Sequence, residues 1–194
     1  MSMEGIAMSY SRWLMHHGVK GMKWGVRKDN KTYSRDRAKA NDIYNTLTDK
    51  EKYYVMAEKG KKEYTPKGEY QKPFSAYSFI ESYKDVPVSV FDAWYNGNDT
   101  VNVSIAIRND KRFRGKGYAQ RAVANGKKWL EEHPEVETMV WGVNRENEPS
   151  VNLAKKNGFK YIEDESGWTD EYGGVWDIYS YKNPNYKKKR KEQL

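Results

Sequence analysis

The sequence contains no cysteine and only three histidines among its 194 residues. Without cysteine, neither a disulfide framework nor a thiolate-bound metal site can form, and a reducing compartment is the simplest setting. The chain also lacks a long apolar run: Glu4, Arg12 and His16 interrupt the apolar N-terminal stretch, and no later segment approaches the ~18 residues that span a membrane. We therefore expect a soluble protein of the cytoplasm.

The net charge of +8 belongs to the two ends of the chain. Residues 1–40 contain nine Lys or Arg and three acids. Residues 182–194 contain six Lys or Arg and one acid. The region between them, 41–181, contains 20 basic and 23 acidic residues, so it is close to neutral. Its length suits a single domain. We predict a basic appendage over 1–40, one domain over 41–182 and a basic, disordered tail over 183–194.

Hydrophobic periodicity predicts the order of the elements. Thr48 followed by Glu51 has the capping-box spacing, which predicts a short helix that ends before Gly60. Aromatic and β-branched segments joined by short turns then predict a three-stranded antiparallel meander. The expected strands are 76–83, 87–95, 101–107 and 137–143, the expected helices 118–132 and 150–157, and the final hairpin lies within 159–164 and 175–182. This order predicts an α/β (α+β) fold with a mixed, mostly antiparallel, twisted sheet flanked by helices.

The stretch RNDKRFRGKGYA, 108–119, lies between the third predicted strand and the long helix. The first N–H groups of a helix have no acceptors within it and carry the positive end of its dipole. Gly115 and Gly117 would let the chain approach an anion closely, and the surrounding Arg and Lys side chains would add positive charge. Read alone, the basic residues also suit nucleic acid. Between a strand and a helix, the turn suits a diphosphate.

Two segments resemble the GNAT N-acetyltransferases. RFRGKGYA, 112–119, resembles the acyl-CoA signature of that family, and VWGVNRENEPSVNLAKKNGF, 140–159, resembles the family's next segment. The resemblance covers roughly residues 75–182. It implies the acyl-CoA N-acyltransferase fold. It also implies transfer of an acetyl group from acetyl-CoA to a primary amine, of a small molecule or a protein, by direct attack in a ternary complex.

The resemblance implies roles for particular residues. The backbone of Ile105, Ala106 and Ile107 would bind the pantetheine arm and the thioester carbonyl. Asn144 and Asn147 would contact that arm from the other side. The diphosphate would be held by the glycine turn and the start of the helix, which comprise Arg112, Arg114, Gly115, Lys116, Gly117, Tyr118 and Ala119.

The usual proton donor of the family is replaced. Where the family often has a tyrosine after the leucine of its second helix, this chain has Ala154. Glu81 and Asp92, on the first two predicted strands, are the candidate bases, and the alternative for each is a solvated charge on a strand face. Four tryptophans either line a pocket for an aromatic or cationic amine or belong to the core: Trp94, Trp141, Trp168 and Trp176.

The ends of the chain carry separate signals. WLMHHGVKGMKWGVRK, 13–28, resembles short terminal peptides of phage and prophage proteins, which implies a bacterial host, a phage structural partner and a place in the cytoplasm or on a virion. His16 and His17 have no nearby carboxylate or cysteine, so we predict no metal site. The run KKKRK, 187–191, would permit weak, non-specific nucleic-acid binding. The alternatives to an enzyme are an inactive binding or virion-associated protein of the same fold and a nucleic-acid binder.

Overall fold

A computed structural model of the chain describes residues 30–55, 77–95, 99–170 and 172–187, with side chains from residue 37 onward. Within these ranges the chain forms a seven-stranded sheet and four α-helices. The helices are α1 (Asn30–Tyr44), α2 (Asp49–Val55), α3 (Tyr118–Glu131) and α4 (Glu148–Lys156). The strands are β1 (Tyr77–Tyr83), β2 (Val86–Tyr95), β3 (Thr100–Ile107), β4 (Thr138–Asn144), β5 (Lys160–Tyr161), β6 (Trp168–Thr169) and β7 (Val175–Lys182).

The sheet has the order β1-β2-β3-β4-β7-β5, and β6 also pairs with β7. Strands β1 to β3 form the antiparallel meander that the sequence predicts. The chain then crosses through the glycine turn and α3 to β4, which is parallel to β3. Strand β7 is antiparallel to its neighbours β4, β5 and β6. This mixed, mostly antiparallel sheet confirms the predicted fold class.

The final hairpin differs from the prediction in the length of its first strand. Strand β5 covers only Lys160–Tyr161, because a 3₁₀ helix over Glu163–Glu165 ends the extended segment. The chain then returns through the short β6 to β7. The loop between β5 and β7 therefore contains structure of its own.

The sheet has two faces with separate cores. Because side chains alternate along a strand, Phe91 and Val90 of β2 point to opposite faces. Phe91 belongs to a large cluster with residues of α3 and α4, and we call this side the α3 face. Val90 belongs to a smaller cluster with Ile43 of α1, and we call this side the α1 face. Gly126 lets α3 lie directly on the sheet, since a Cβ there would come within 2.3 Å of the Phe91 ring.

Helix α1 was not predicted. It crosses residue 40, the position predicted for the boundary between the basic appendage and the domain. From Asn30 to Tyr44 the chain contains neither glycine nor proline. Ala40, Ile43, Tyr44 and Leu47 follow helical spacing and pack against the α1 face. This stripe, rather than the charge, determines the local structure.

The predicted helix after residue 48 begins as expected. The Thr48 N–H donates to Glu51 Oε2 at 2.8 Å, and the Glu51 N–H donates to Thr48 Oγ1 at 3.2 Å. These two bonds form the reciprocal capping box. No helix within the described ranges is both long enough and apolar enough to cross a membrane.

Candidate active site

Strands β3 and β4 separate soon after they meet. They pair only through their first three residues, Thr100–Asn102 with Thr138–Val140. Both strands continue, and we call the gap between residues 103–107 of β3 and 141–144 of β4 the wedge. No strand of the described residues pairs with these two edges inside the wedge. An extended ligand could therefore bond to the main chain there as an added strand would.

Five of the residues that the resemblance assigns to the cosubstrate lie around the wedge. Ile105, Ala106 and Ile107 form the last part of β3. Asn144 ends β4, and its Oδ1 accepts a hydrogen bond from the Glu146 N–H at 3.0 Å. Asn147 caps α4, where its side chain accepts from the Ser150 N–H at 3.4 Å. The structure thus brings the two predicted groups to opposite sides of one gap.

The glycine turn follows β3 directly. Gly115 and Gly117 have φ angles of +70° and +79°, in the left-handed region that favours glycine. Gly117 is the N-cap of α3 and supplies no side-chain cap. Within the described residues, the N–H groups of Gly117, Tyr118 and Ala119 have no acceptor. Together with the helix dipole they form a surface that favours an anion.

The cations around this turn are partly neutralised by the chain itself. Arg112 Nη2 lies 2.7 Å from Asp110 Oδ2, and Arg114 forms an ion pair with Glu51 of α2. The hydrogen bonds from Arg112 hold the pKa of Asp110 below its ordinary value. Lys116 forms no ion pair within the described part of the chain and is exposed. The turn is therefore a local anion site rather than a continuous basic surface.

Arg108, the first cation of the stretch, has a structural contact. Its guanidinium forms an ion pair with Asp42 of α1, and its Nε donates to the Pro87 carbonyl at 2.7 Å. It thereby ties the end of β3 to α1 and to the start of β2.

The two candidate bases lie on opposite faces of the sheet. Glu81 lies beside the glycine turn on the α3 face, where Arg121 Nε is 2.9 Å from its Oε1. Arg121 also donates to the Lys116 carbonyl at 3.1 Å. Asp92 lies on the α1 face, is 4% exposed and accepts a hydrogen bond from the Tyr44 hydroxyl at 3.3 Å. The structure does not bring the two carboxylates together.

Ala154 belongs to the core. It is fully buried in the cluster on the α3 face, beside residues of α3 and β4. The position that carries a tyrosine in much of the resembling family thus provides packing and no proton donor.

Helix α2 lies across the mouth of the wedge, an arrangement that the sequence did not indicate. Glu51 contacts Arg114 after β3, and the Tyr54 hydroxyl lies 3.4 Å from Glu146 Oε2, after β4. Between them, the Tyr53 hydroxyl donates to Asp170 Oδ2 at 2.5 Å. The helix therefore connects the ends of the two strands that form the wedge with the loop before β7.

Asp170 organises this loop. Its Oδ2 accepts from Tyr53 and from Trp176 Nε1, and its Oδ1 accepts from the N–H groups of Tyr172 and Gly174, each at 2.9 Å. Burial alone would raise the pKa of Asp170, but these hydrogen bonds outweigh it and lower the pKa. Burial and the bond to Asp170 raise the pKa of Tyr53 to about 12.

The four tryptophans divide between the two interpretations left open by the sequence. Trp141 lies in the core of the α3 face, with its ring edge against Phe159. Trp168 and Trp176 stack with centroids 5.9 Å apart, next to Tyr53 and the end of β4. Trp94 lies on β2 and is half-buried. Trp176 is 1% exposed and therefore buried like Trp141, whereas Trp168 is half-buried.

Several predictions concern residues outside the described ranges. The segment 13–28 and its two histidines lie there, as do residues 188–191 of the basic run. The phage partner, the virion location and the nucleic-acid binding stay predictions. Within the described ranges, no group of three or more His, Cys, Asp or Glu side chains could hold a metal ion.

Comparison with known families finds two matches. Residues 22–160, well over half of the chain, match the acetyltransferase (GNAT) domain family. Residues 8–31 match a family of unknown function (DUF7211), and this range includes the whole segment 13–28. No curated protein sequence matches the chain.

Solved structures match the fold. The GNAT domain of S. lividans PAT is 10% identical with a TM-score of 0.52, over 76% of this chain and 85% of that chain. A GNAT-family acetyltransferase from Streptococcus pneumoniae is 14% identical with a TM-score of 0.48, over 55% of this chain and 65% of that one. A spermidine N-acetyltransferase from Vibrio cholerae, in complex with CoA and spermine, is 14% identical with a TM-score of 0.47, over 56% of this chain and 66% of that one. The chain thus spans slightly less than two thirds of the last two proteins.

Proposed function

Because the chain belongs to the GNAT acetyltransferase family, we propose that it transfers the acetyl group of acetyl-CoA to a primary amine of a small molecule or a protein. The amine attacks directly in a ternary complex. One observation carries the proposal: the wedge between β3 and β4 opens directly beside the unsatisfied N–H groups of the glycine turn. An extended arm with a diphosphate at one end matches both features at once.

The cosubstrate fits the residues in a definite order. The main chain of Ile105–Ile107 would bond to the pantetheine arm from one side of the wedge, with Asn144 and Asn147 on the other. The diphosphate would meet the turn from Arg112 to Ala119, where Gly115 and Gly117 allow close approach. Arg114 already holds a carboxylate, that of Glu51, so its guanidinium is positioned to hold an anion.

The reaction needs a base on the face from which the amine arrives. The nitrogen attacks the thioester carbon, the carbon–sulfur bond breaks, the amine gives up one proton and the sulfur takes one. Helices α3 and α4 fill the α3 face with core residues, so the amine would approach from the α1 face. Asp92 lies on that face and close to β3, whereas Glu81 is held by Arg121 on the other. We therefore assign the base to Asp92 and leave protonation of the sulfur to water, since Ala154 has no proton to give.

Turnover in a pair of variants tests this assignment. Asp92→Asn should lower kcat by roughly 100-fold or more, the usual size of a general-base contribution. Glu81→Gln removes the carboxylate on the opposite face, and we expect it to leave kcat within about threefold. Thiol release from acetyl-CoA measures both, with thermal unfolding as the check on folding. Equal losses in the two variants would exclude Asp92 as the base.

The fully buried Ala154 favours one alternative, a protein that keeps the fold and binds acetyl-CoA without turnover. A panel of small amines and lysine-containing peptides separates the two functions. Binding of acetyl-CoA without thiol release for any acceptor in the panel would support the binding protein.

A further inference from the structure

The aromatic rings around Asp170 form a wall at the mouth of the wedge. We propose that this wall, made of Tyr53, Asp170, Tyr172 and Trp176, selects an aliphatic acceptor amine that carries a second ammonium group. The first amine would reach the thioester while the wall holds the second. This inference rests on the proposed function, since it names the acceptor of that reaction.

The wall begins at the wedge itself. Trp176 of β7 pairs with Asn144, the last residue of β4. A Cβ on Gly174 would come within 1.8 Å of the Tyr53 hydroxyl and 2.8 Å of Asn144 Nδ2, so these two groups lie close together. A ligand group at the wall is therefore next to the open edge of β4, on the face from which the amine approaches.

Tyr172 is the exposed ring of the wall, whereas Tyr53 is half-buried and Trp176, which is 1% exposed, packs behind Tyr53. Tyr53 meets Trp176 edge to face at 5.6 Å and Tyr172 at 6.2 Å between centroids. Tyr172 is 50% exposed, so the cluster continues from the buried Trp176 to solvent. Aromatic faces attract ammonium groups through their quadrupole, and the attraction is stronger where water is partly excluded.

Among the described residues, Asp170 has no Lys or Arg as a counterion. Its four hydrogen-bond donors are a phenol, an indole and two backbone N–H groups, all neutral. Because the carboxylate oxygens are already hydrogen-bonded to neutral donors, the negative charge of Asp170 would attract a cation at the exposed Tyr172 ring through its field and not through a direct hydrogen bond.

The segment from the end of β5 through most of β7 is also negatively charged. Residues 161–181 contain six acids and no Lys or Arg, although the whole chain has a net charge of +8. One of the six, Asp177, is neutralised by Arg145. The remaining negative charge next to the wedge would raise the local concentration of a cationic acceptor.

An ammonium group of the chain already occupies a similar arrangement nearby. Lys50 Nζ lies 5.5 Å from the centroid of the Tyr54 ring and 3.5 Å from Glu146 Oε2. The combination is one tyrosine ring and one carboxylate, as at the wall. This exposed contact places a cation near a tyrosine ring and a carboxylate, which is the same type of interaction that we assign to the acceptor.

Three amines of similar length test the inference. Thiol release is measured with saturating acetyl-CoA and diaminobutane, aminobutanol or butylamine as the acceptor. We expect kcat/KM for diaminobutane to exceed that for aminobutanol by roughly tenfold or more, mainly through KM, and the excess to shrink with added salt. In Asp170→Asn and in Tyr172→Ala the excess should fall at least about threefold.

The control is Glu163→Gln, which removes an exposed charge of the same loop that does not contact the wall. We expect it to keep the preference for diaminobutane. Tyr172→Ala is the second variant because it removes a half-exposed side chain that contributes little to stability, so this variant should fold even if Asp170→Asn does not. Equal kcat/KM for diaminobutane and aminobutanol would overturn the inference and leave the proposed function intact. Failure to bind acetyl-CoA would overturn the proposed function and this assignment of its acceptor together.

Discussion

The Asn183 side chain joins the end of α3 to the start of β4. Its Nδ2 donates to the carbonyls of Leu130 at 2.7 Å and Val136 at 2.8 Å, and it lies 3.0 Å from that of His133. The residue is only 6% exposed. The Asn183 amide thus holds together the link from α3 to β4, at the opposite end of the crossover from the glycine turn.

Asn183→Ala should destabilise the fold by about 1–3 kcal/mol, because it removes one hydrogen bond from each of three carbonyls between α3 and β4. Urea unfolding measures the change. Asn185→Ala is the matched control: Asn185 is exposed and its Nδ2 donates only to the Glu131 carbonyl at 3.0 Å, so we expect a change within about 0.5 kcal/mol. Equal losses would contradict the role given to Asn183.

Helix α2 is held by polar contacts and by two apolar contacts at its end, Val55 against the α1 face and Tyr53 against Trp176. It has seven residues and none of them is buried. An isolated helix of that length is unstable in water. Its polar contacts with Arg114, Glu146 and Asp170 therefore act together with this packing to determine where it lies.

The contact between α2 and the loop before β7 should depend on pH. The pKa of Asp170 is lowered in the folded protein, so its stabilising effect is complete above the unfolded value of about 3.9 and is lost as the pH falls through the folded value. The pKa of Tyr53 is raised to about 12, so its effect is complete below about 10 and is lost as the pH rises through 12.

We expect wild type to be more stable than Asp170→Asn at neutral pH and the difference to shrink below pH of about 4. Chemical unfolding at a series of pH values measures it. Glu163→Gln, in the same loop but outside the hydrogen-bond network, is the control and should show little change. A difference that is constant from neutral to acid pH would contradict the assigned role of the Asp170 charge.

For the molecule as a whole, sequence patterns predicted those parts of the fold that depend on residues close together in the chain. The capping box at Thr48, the glycine turn before α3 and the apolar stripe of α3 are each set by residues within a few positions. The Tyr53–Asp170 bond joins residues 117 positions apart, and no local pattern marks either one. The opposite faces of Glu81 and Asp92 follow from strand register, which the alternation within each strand leaves open.

Helix α1 was not predicted for a different reason. Its stripe of Ala40, Ile43 and Tyr44, with Leu47 just beyond the end of the helix, is visible in the sequence, but basic residues dominate the composition before it. Charge indicates where a segment is solvated, and apolar spacing indicates where it packs. In α1 the apolar spacing determines that the segment folds as a helix against the sheet.

The binding of acetyl-CoA to the full chain, measured by calorimetry, tests the central claim most directly. Wild type should bind at micromolar concentrations, and Gly117→Val should lose most of that affinity, since valine is strained at a φ of +79° and blocks the approach to the N–H groups. Gly167→Val, at a φ of +80° outside the turn, controls for backbone strain and should bind like wild type. Absence of binding by wild type, or equal affinity of wild type and Gly117→Val, would contradict the claim that the wedge and the glycine turn hold the cosubstrate.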